Sequence, residues 1–186
     1  MSFLKAFMLI AIQFVISNLS YAGDVLEARV EHTNKQYFVS LNVVINADAS
    51  RVYKILTDYD NLTKLSDSIK ESRVIYSLSD NDHRVHVKTK ACVTFFCKTI
   101  NQVQDVEELP NNVIITTALP DKSDVDYAHA RWKVTPENGL TRISFNSDLK
   151  PSFWIPPLIG PLLIERSLRN EALAIIDGLE ALAQQP

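Results

Sequence analysis

The chain has 186 residues, with 22 acidic and 19 basic side chains, a net charge of -3 and 46% hydrophobic content. That length and apolar share suit one domain with a proper core, and the acidic balance argues against a nucleic-acid partner, which would call for a basic surplus. No glycine-rich phosphate loop, GxSxG or CxxCH signature occurs.

The first residues have the pattern of an export signal. Lys5 supplies the positive start, Ala6 to Leu19 is mostly apolar and uncharged, and Ser20-Tyr21-Ala22 places small residues where a signal peptidase reads. The apolar run is shorter than the ~20 residues that span a bilayer, so cleavage after Ala22 is expected rather than a retained anchor. Residues 1–22 are thus read as a signal peptide and 23–186 as one exported domain. The periplasm is the expected location, with the eukaryotic secretory pathway left open.

Gln36 to Ile45 alternates through Tyr37, Val39, Leu41, Val43 and Ile45 and predicts a strand. Asp48 or Ser50 can cap a helix from about Ala49 to Thr57, with Val52, Ile55 and Leu56 on one face. Asp58-Tyr59-Asp60 breaks it, and a second short helix is expected through Leu62 and Leu65. Six strands follow: Arg73 to Leu78, Arg84 to Cys92, Cys97 to Leu109, Val113 to Leu119, Val125 to Val134, and Leu140 to Leu149. Their connections are too short for parallel crossovers, so the sheet is antiparallel.

Cys92 and Cys97, the only two cysteines, flank Val93-Thr94-Phe95-Phe96 between two of these strands. A four-residue hairpin loop sets them opposite each other, as a cross-strand disulfide needs, and an oxidising compartment favours the bond. The same register puts Arg84 opposite Asp105. CxxxxC spacing speaks against a redox motif, so the bond is expected to fix the hairpin tip.

Beyond the last strand, Phe153-Trp154-Ile155-Pro156-Pro157-Leu158-Ile159-Gly160-Pro161 is apolar where a connection would ordinarily be polar, and its prolines forbid a continuous helix. It must pack on its own domain, line a cavity mouth or meet an apolar partner. A long amphipathic helix runs from about Pro161 to the C-terminus, with Leu168, Ala172, Ile175, Ile176, Leu179 and Ala183 in one stripe. Extended backwards, that stripe reaches Glu165 at its centre and Arg169 at its edge, four residues apart. Two readings stand open: an ion pair beside a wet cavity that orients a ligand's polar head, or a partly exposed pair at the helix start.

The order of strand, two short helices, six strands and long helix resembles the START-like, helix-grip superfamily, which includes polyketide cyclases and coenzyme Q-binding proteins. The segment from Val44 to Leu62 (VINADASRVYKILTDYDNL) is similar to that family's strand, capped helix, and aspartate with an aromatic before the second helix. Phe153-Trp154-Ile155-Pro156 leading to Leu168-Arg169-Asn170-Glu171-Ala172-Leu173 carries the rest. Tyr53 stands where the family often has tryptophan. The resemblance implies an α+β helix-grip fold, a curved antiparallel sheet around the C-terminal helix, holding a lipid, sterol, quinone or polyketide between them.

Within that frame, Ala128, Ala130, Trp132 and Val134 are the inward set of their strand, and two alanines leave room under the helix. Phe145 faces inward on the neighbouring strand, and the disulfide register turns Thr89 and Ile100 inward, with Gln102 and Gln104 beside them. A mostly apolar pocket with a few polar groups is what a small-molecule site requires. Alternatively, Trp132 and Phe145 simply fill the space. Tyr53, Tyr59, Gln102, Trp132, Phe145, Phe153, Trp154, Glu165 and Arg169 are the expected ligand-binding residues, with Phe153-Trp154-Ile155-Pro156 and the Cys92–Cys97 hairpin gating the opening.

No catalytic residue, metal ligand or cofactor is expected. His32, His83, His86 and His129 have no metal-ligand spacing, and His83 and His86 point to opposite faces of a strand. A cyclase- or hydrolase-like enzyme in the same cavity and a membrane or protein interaction module are the alternatives to a binding protein. Arg84, His86, Lys88 and Lys90 make a basic stripe on the outer face, either simply solvated or touching anionic lipid headgroups during transient membrane contact.

Overall fold

β2 (Gln36–Ile45) buries Tyr37, Val39, Leu41, Val43 and Ile45 and turns the intervening residues away, as its alternation dictates. It occupies the middle of the architecture seen in a computed structural model of the chain, which describes residues 24–93, 96–155 and 160–185. The expected signal peptide, Thr94 and Phe95 of the expected hairpin loop, and Pro156 to Ile159 lie outside the described residues.

A strand that the sequence reading did not anticipate, β1 (Asp24–Thr33), precedes β2 and pairs with it antiparallel. Its turn uses Asn34 and Lys35, both at positive φ (52° and 67°), which matches the mirror-image turn that a two-residue hairpin favours. Without glycine at that turn, and with adjacent apolar residues at Val25 and Leu26, neither the turn nor the alternation stands out.

Helix α1 (Ala49–Leu56) starts at Asp48, whose carboxylate accepts hydrogen bonds from the Ser50 and Arg51 amides. Asp48 therefore is the cap, and Val52 and Leu56 face the core. The expected second helix is a single 3₁₀ turn, Leu62–Lys64. The chain then crosses to the far edge, where β3 (Ile69–Ser77) begins four residues earlier than predicted. An antiparallel meander returns through β4 (Asp82–Val93), β5 (Phe96–Leu109), β6 (Val113–Ala118), β7 (Val125–Glu137) and β8 (Leu140–Pro151).

The order across the eight-stranded sheet is β1-β2-β8-β7-β6-β5-β4-β3. Asn138 and Gly139, at φ 51° and 81°, make the β7–β8 turn, the position where glycine's access to the left-handed region is used. The predicted disulfide joins Cys92 to Cys97, which lie opposite each other with Arg84 opposite Asp105. Arg84 grips Asp105 through both carboxylate oxygens, at 2.7 and 2.9 Å.

Helix α2 (Gly160–Gln184) lies against the sheet. Ile176, Leu179 and Ala183 are buried in one core with β2, α1 and Ile143 of β8. Its last turns clamp the loop between β2 and α1: Glu180 accepts from the Asn46 amide at 2.8 Å, and Gln184 donates to the Asn46 carbonyl at 3.0 Å. At Gly178 the absence of a side chain lets the helix touch the backbone of Leu65.

Candidate functional site

A cavity of about 590 Å³ lies between the sheet and the face of α2 nearest β3 and β4. Strand alternation builds its wall. Val87 and Thr89 on β4, Ile100, Gln102 and Gln104 on β5, Ala128, Ala130 and Trp132 on β7, and Phe145, Ser147 and Leu149 on β8 line it. Trp132 and Phe145 are cross-strand partners with ring centroids 4.2 Å apart, and they form a wall rather than filling the space. Leu56, Tyr59, Leu62, Leu65 and Ile69 close one end, and α2 supplies Ser167, Leu168, Asn170, Glu171, Ala174 and Ile175. A hollow less than half that size, about 280 Å³, is bordered by Asp82, Asp105 and Glu107 elsewhere on the sheet.

Of the nine residues named from the sequence, Tyr59, Gln102, Trp132 and Phe145 line this cavity. Tyr53, Phe153, Trp154, Glu165 and Arg169 do not. Trp154 is 79% exposed, and Phe153 lies beneath the Lys98 ammonium, 4.9 Å from its ring centroid. Arg169 is exposed and no ion pair joins it to Glu165. Helix phase explains the difference. The deepest stripe of α2, centred on Ile176, Leu179 and Ala183, packs into the core, and Glu165 falls on its extension. The face centred on Glu171 lies about 120° round the helix from Glu165 and overlooks the cavity.

Glu171 was not among the predicted residues. It accepts a hydrogen bond from the Ser68 hydroxyl and so ties α2 to the start of β3. Across the cavity, Gln102 donates to Gln104 at 2.7 Å. Glu108 was missed too, although it continues the inward face of β5 through Gln102, Gln104 and Val106. Its two oxygens accept from the hydroxyls of Tyr53, at 2.9 Å, and Tyr59, at 3.0 Å. His83 approaches the same carboxylate at 3.8 Å and sits 5.5 Å from the Tyr59 ring. Burial first, and then the Glu108 charge and hydrogen bonds, push both phenols well above their usual pKa. A carboxylate with both oxygens engaged joins α1 and the following loop to the sheet, and Tyr59 carries that joint to the cavity wall.

Among the described residues no group of three or more His, Cys, Asp or Glu side chains is placed to hold a metal ion. None of their helices is long and apolar enough to cross a membrane.

A curved antiparallel sheet gripping one long helix over an internal cavity defines the helix-grip class. The chain belongs to the polyketide cyclase/dehydrase and lipid transport family, whose model matches residues 36–184. The START-like resemblance read from the sequence is therefore borne out. Solved structures share the fold. An aromatase/cyclase from Streptomyces sp. R1128 is similar with a TM-score of 0.68 at 13% identity, over 80% of this chain and 94% of its own. A START superfamily protein from Mycobacterium smegmatis matches with a TM-score of 0.65 at 16% identity, over 80% and 97%. A STAR-related lipid transfer protein from Xanthomonas axonopodis matches with a TM-score of 0.64 at 14% identity, over 88% and 99%. No curated protein sequence matches the chain.

Proposed function

We propose that the protein is an exported binding protein that holds a hydrophobic small molecule, of lipid or quinone-like chemistry, between the sheet and α2. The observation that carries this reading is the cavity of about 590 Å³, whose wall is mostly apolar with a few polar groups. That size and composition are those of a small-molecule site. Export is supported by the signal-like sequence of residues 1–22 and by the Cys92–Cys97 disulfide, a bond characteristic of oxidising compartments.

Native mass spectrometry of protein recovered from its own periplasm tests both parts. The expected result is a chain beginning at Gly23 that carries a lipid- or quinone-sized adduct. Ala130→Phe, which fills the cavity from β7, is expected to reduce adduct occupancy about tenfold or more while the fold is kept. An adduct that survives Ala130→Phe undiminished would place the ligand elsewhere, and an unprocessed N-terminus would refute export.

Transient membrane contact is a second element of the proposal, favoured by the exposure of Trp154 beside Phe153 and Lys98. An aromatic edge with a neighbouring cation suits the headgroup region of a bilayer. Trp154→Ala is expected to lower co-flotation with anionic vesicles about threefold or more, since one interfacial aromatic contributes on the order of 1 kcal/mol. Equal flotation of both proteins, or none by either, would dismiss this contact.

A further inference from the structure

Resting on that reading, we propose that Glu171 receives the polar end of the ligand. The cavity then selects a neutral or cationic hydrogen-bond donor, such as an alcohol, phenol or amine, against carboxylates and phosphates. Two charged residues, Glu171 and Lys90, border the cavity. Lys90 is exposed, and alternation along β4 puts its side chain on the outer face with Arg84 and Lys88. The inward charge is therefore a carboxylate with no facing cation among the lining residues.

One oxygen of Glu171 accepts from Ser68, and the other has no partner among the described residues. An ionised carboxylate can only accept hydrogen bonds. Gln102 and Gln104 on the opposite wall are neutral amides, able to meet a carbonyl or hydroxyl but not to cancel a charge. An anionic head brought into this space would meet the like charge of Glu171 at short range, in a half-buried site where water screens the repulsion only in part. A donor head gains a charge-assisted hydrogen bond at the same place.

Binding of matched probes decides the matter. Dodecan-1-ol, dodecylamine and dodecanoate would compete at pH 8 with Nile red, a neutral dye, on the mature protein, Glu171→Gln and Ser68→Ala. The wild type is expected to bind the alcohol and the amine at least about tenfold more tightly than dodecanoate. Glu171→Gln should strengthen dodecanoate about tenfold and weaken the amine by a similar factor, with the alcohol changed less than about threefold. Ser68→Ala, which leaves the carboxylate in place, should keep the wild-type ranking.

Equal affinity for dodecanoate and the alcohol in the wild type would overturn the proposal, as would a ranking indifferent to Glu171→Gln. If Ser68→Ala shifted the ranking as far as Glu171→Gln, Glu171 would be acting by closing the loop, and the proposal would fall. Failure of every protein to take up Nile red or any probe would instead refute cavity binding itself, and the selectivity with it.

Discussion

Gly178→Ala is expected to destabilise the protein by about 3 kcal/mol, even though alanine is the better helix former by about 1 kcal/mol. A methyl group at this position would lie 2.0 Å from the carbonyl oxygen of Leu65 and 2.8 Å from its carbonyl carbon. Both are backbone atoms, so no side-chain rotation relieves the clash. Either α2 lifts from the sheet or the 3₁₀ turn at Leu62–Lys64 moves, and Leu65, a buried core residue, goes with it. Thermal melts should show a midpoint lowered by roughly 6–12 °C for a domain of this size. An unchanged midpoint would mean that α2 and the loop before β3 do not meet this closely. The effect reaches the cavity, because Leu65 lines it and Ser68, three residues on, holds Glu171.

Removing the Glu108 carboxylate should cost about as much, by a different mechanism. Glu108→Ala leaves the Tyr53 and Tyr59 hydroxyls without their acceptor, and hydrogen bonds to a charged group are worth roughly 1.5–3 kcal/mol each. A loss of about 3 kcal/mol or more in urea denaturation is expected. The Tyr53→Phe, Tyr59→Phe double variant leaves the carboxylate unsatisfied and should be destabilised to a similar degree. The triple variant should lose less than the sum of the two, because the groups act as a unit. Strict additivity would show that the cluster is not coupled.

The same cluster sets an alkaline limit. Both phenols have folded-state pKa values raised above the unfolded value of about 10. Their contribution is therefore complete below about pH 10 and is lost as the pH rises from there through the folded values. The slope approaches about 1.4 kcal/mol per pH unit for Tyr59 and is smaller for Tyr53, which solvent screens more. Denaturation series between about pH 9 and pH 11 should show this slope weakened in Tyr59→Phe. A slope identical in the two proteins would remove Tyr59 as its source.

Much of the fold was legible because its signals are local or periodic. The β2 alternation, the helix cap at Asp48 or Ser50 and the pairing of Cys92 with Cys97 each involve residues within a few positions of one another. Once the cysteines set the β4–β5 register, the inward direction of Thr89, Ile100, Gln102 and Gln104 followed by alternation alone. β1 escaped because Asn34-Lys35 makes a tight turn without glycine and the strand's apolar pattern is weak. Glu108 had a usable signal: it shares strand parity with Gln102 and Gln104, and a carboxylate on an inward face needs a partner.

By itself, then, the sequence determined the helix-grip class through its family resemblance, the strand register around the disulfide and the inward direction of Trp132 and Phe145. Only the structure showed that these two rings form a wall rather than fill the space. Tertiary structure alone decided which face of α2 overlooks the cavity, and with it that Glu171 rather than Glu165 or Arg169 borders it. It also decided that Tyr53 and Tyr59 turn their hydroxyls to Glu108, and that Gly178 is where the helix meets Leu65. The reason is physical. Periodicity reports which side of an element avoids water, but a helix gripped by a curved sheet has one flank in the core and another over the cavity. Only the rotation and depth of its docking, set by contacts between residues as far apart as Ser68 and Glu171, distinguish the two.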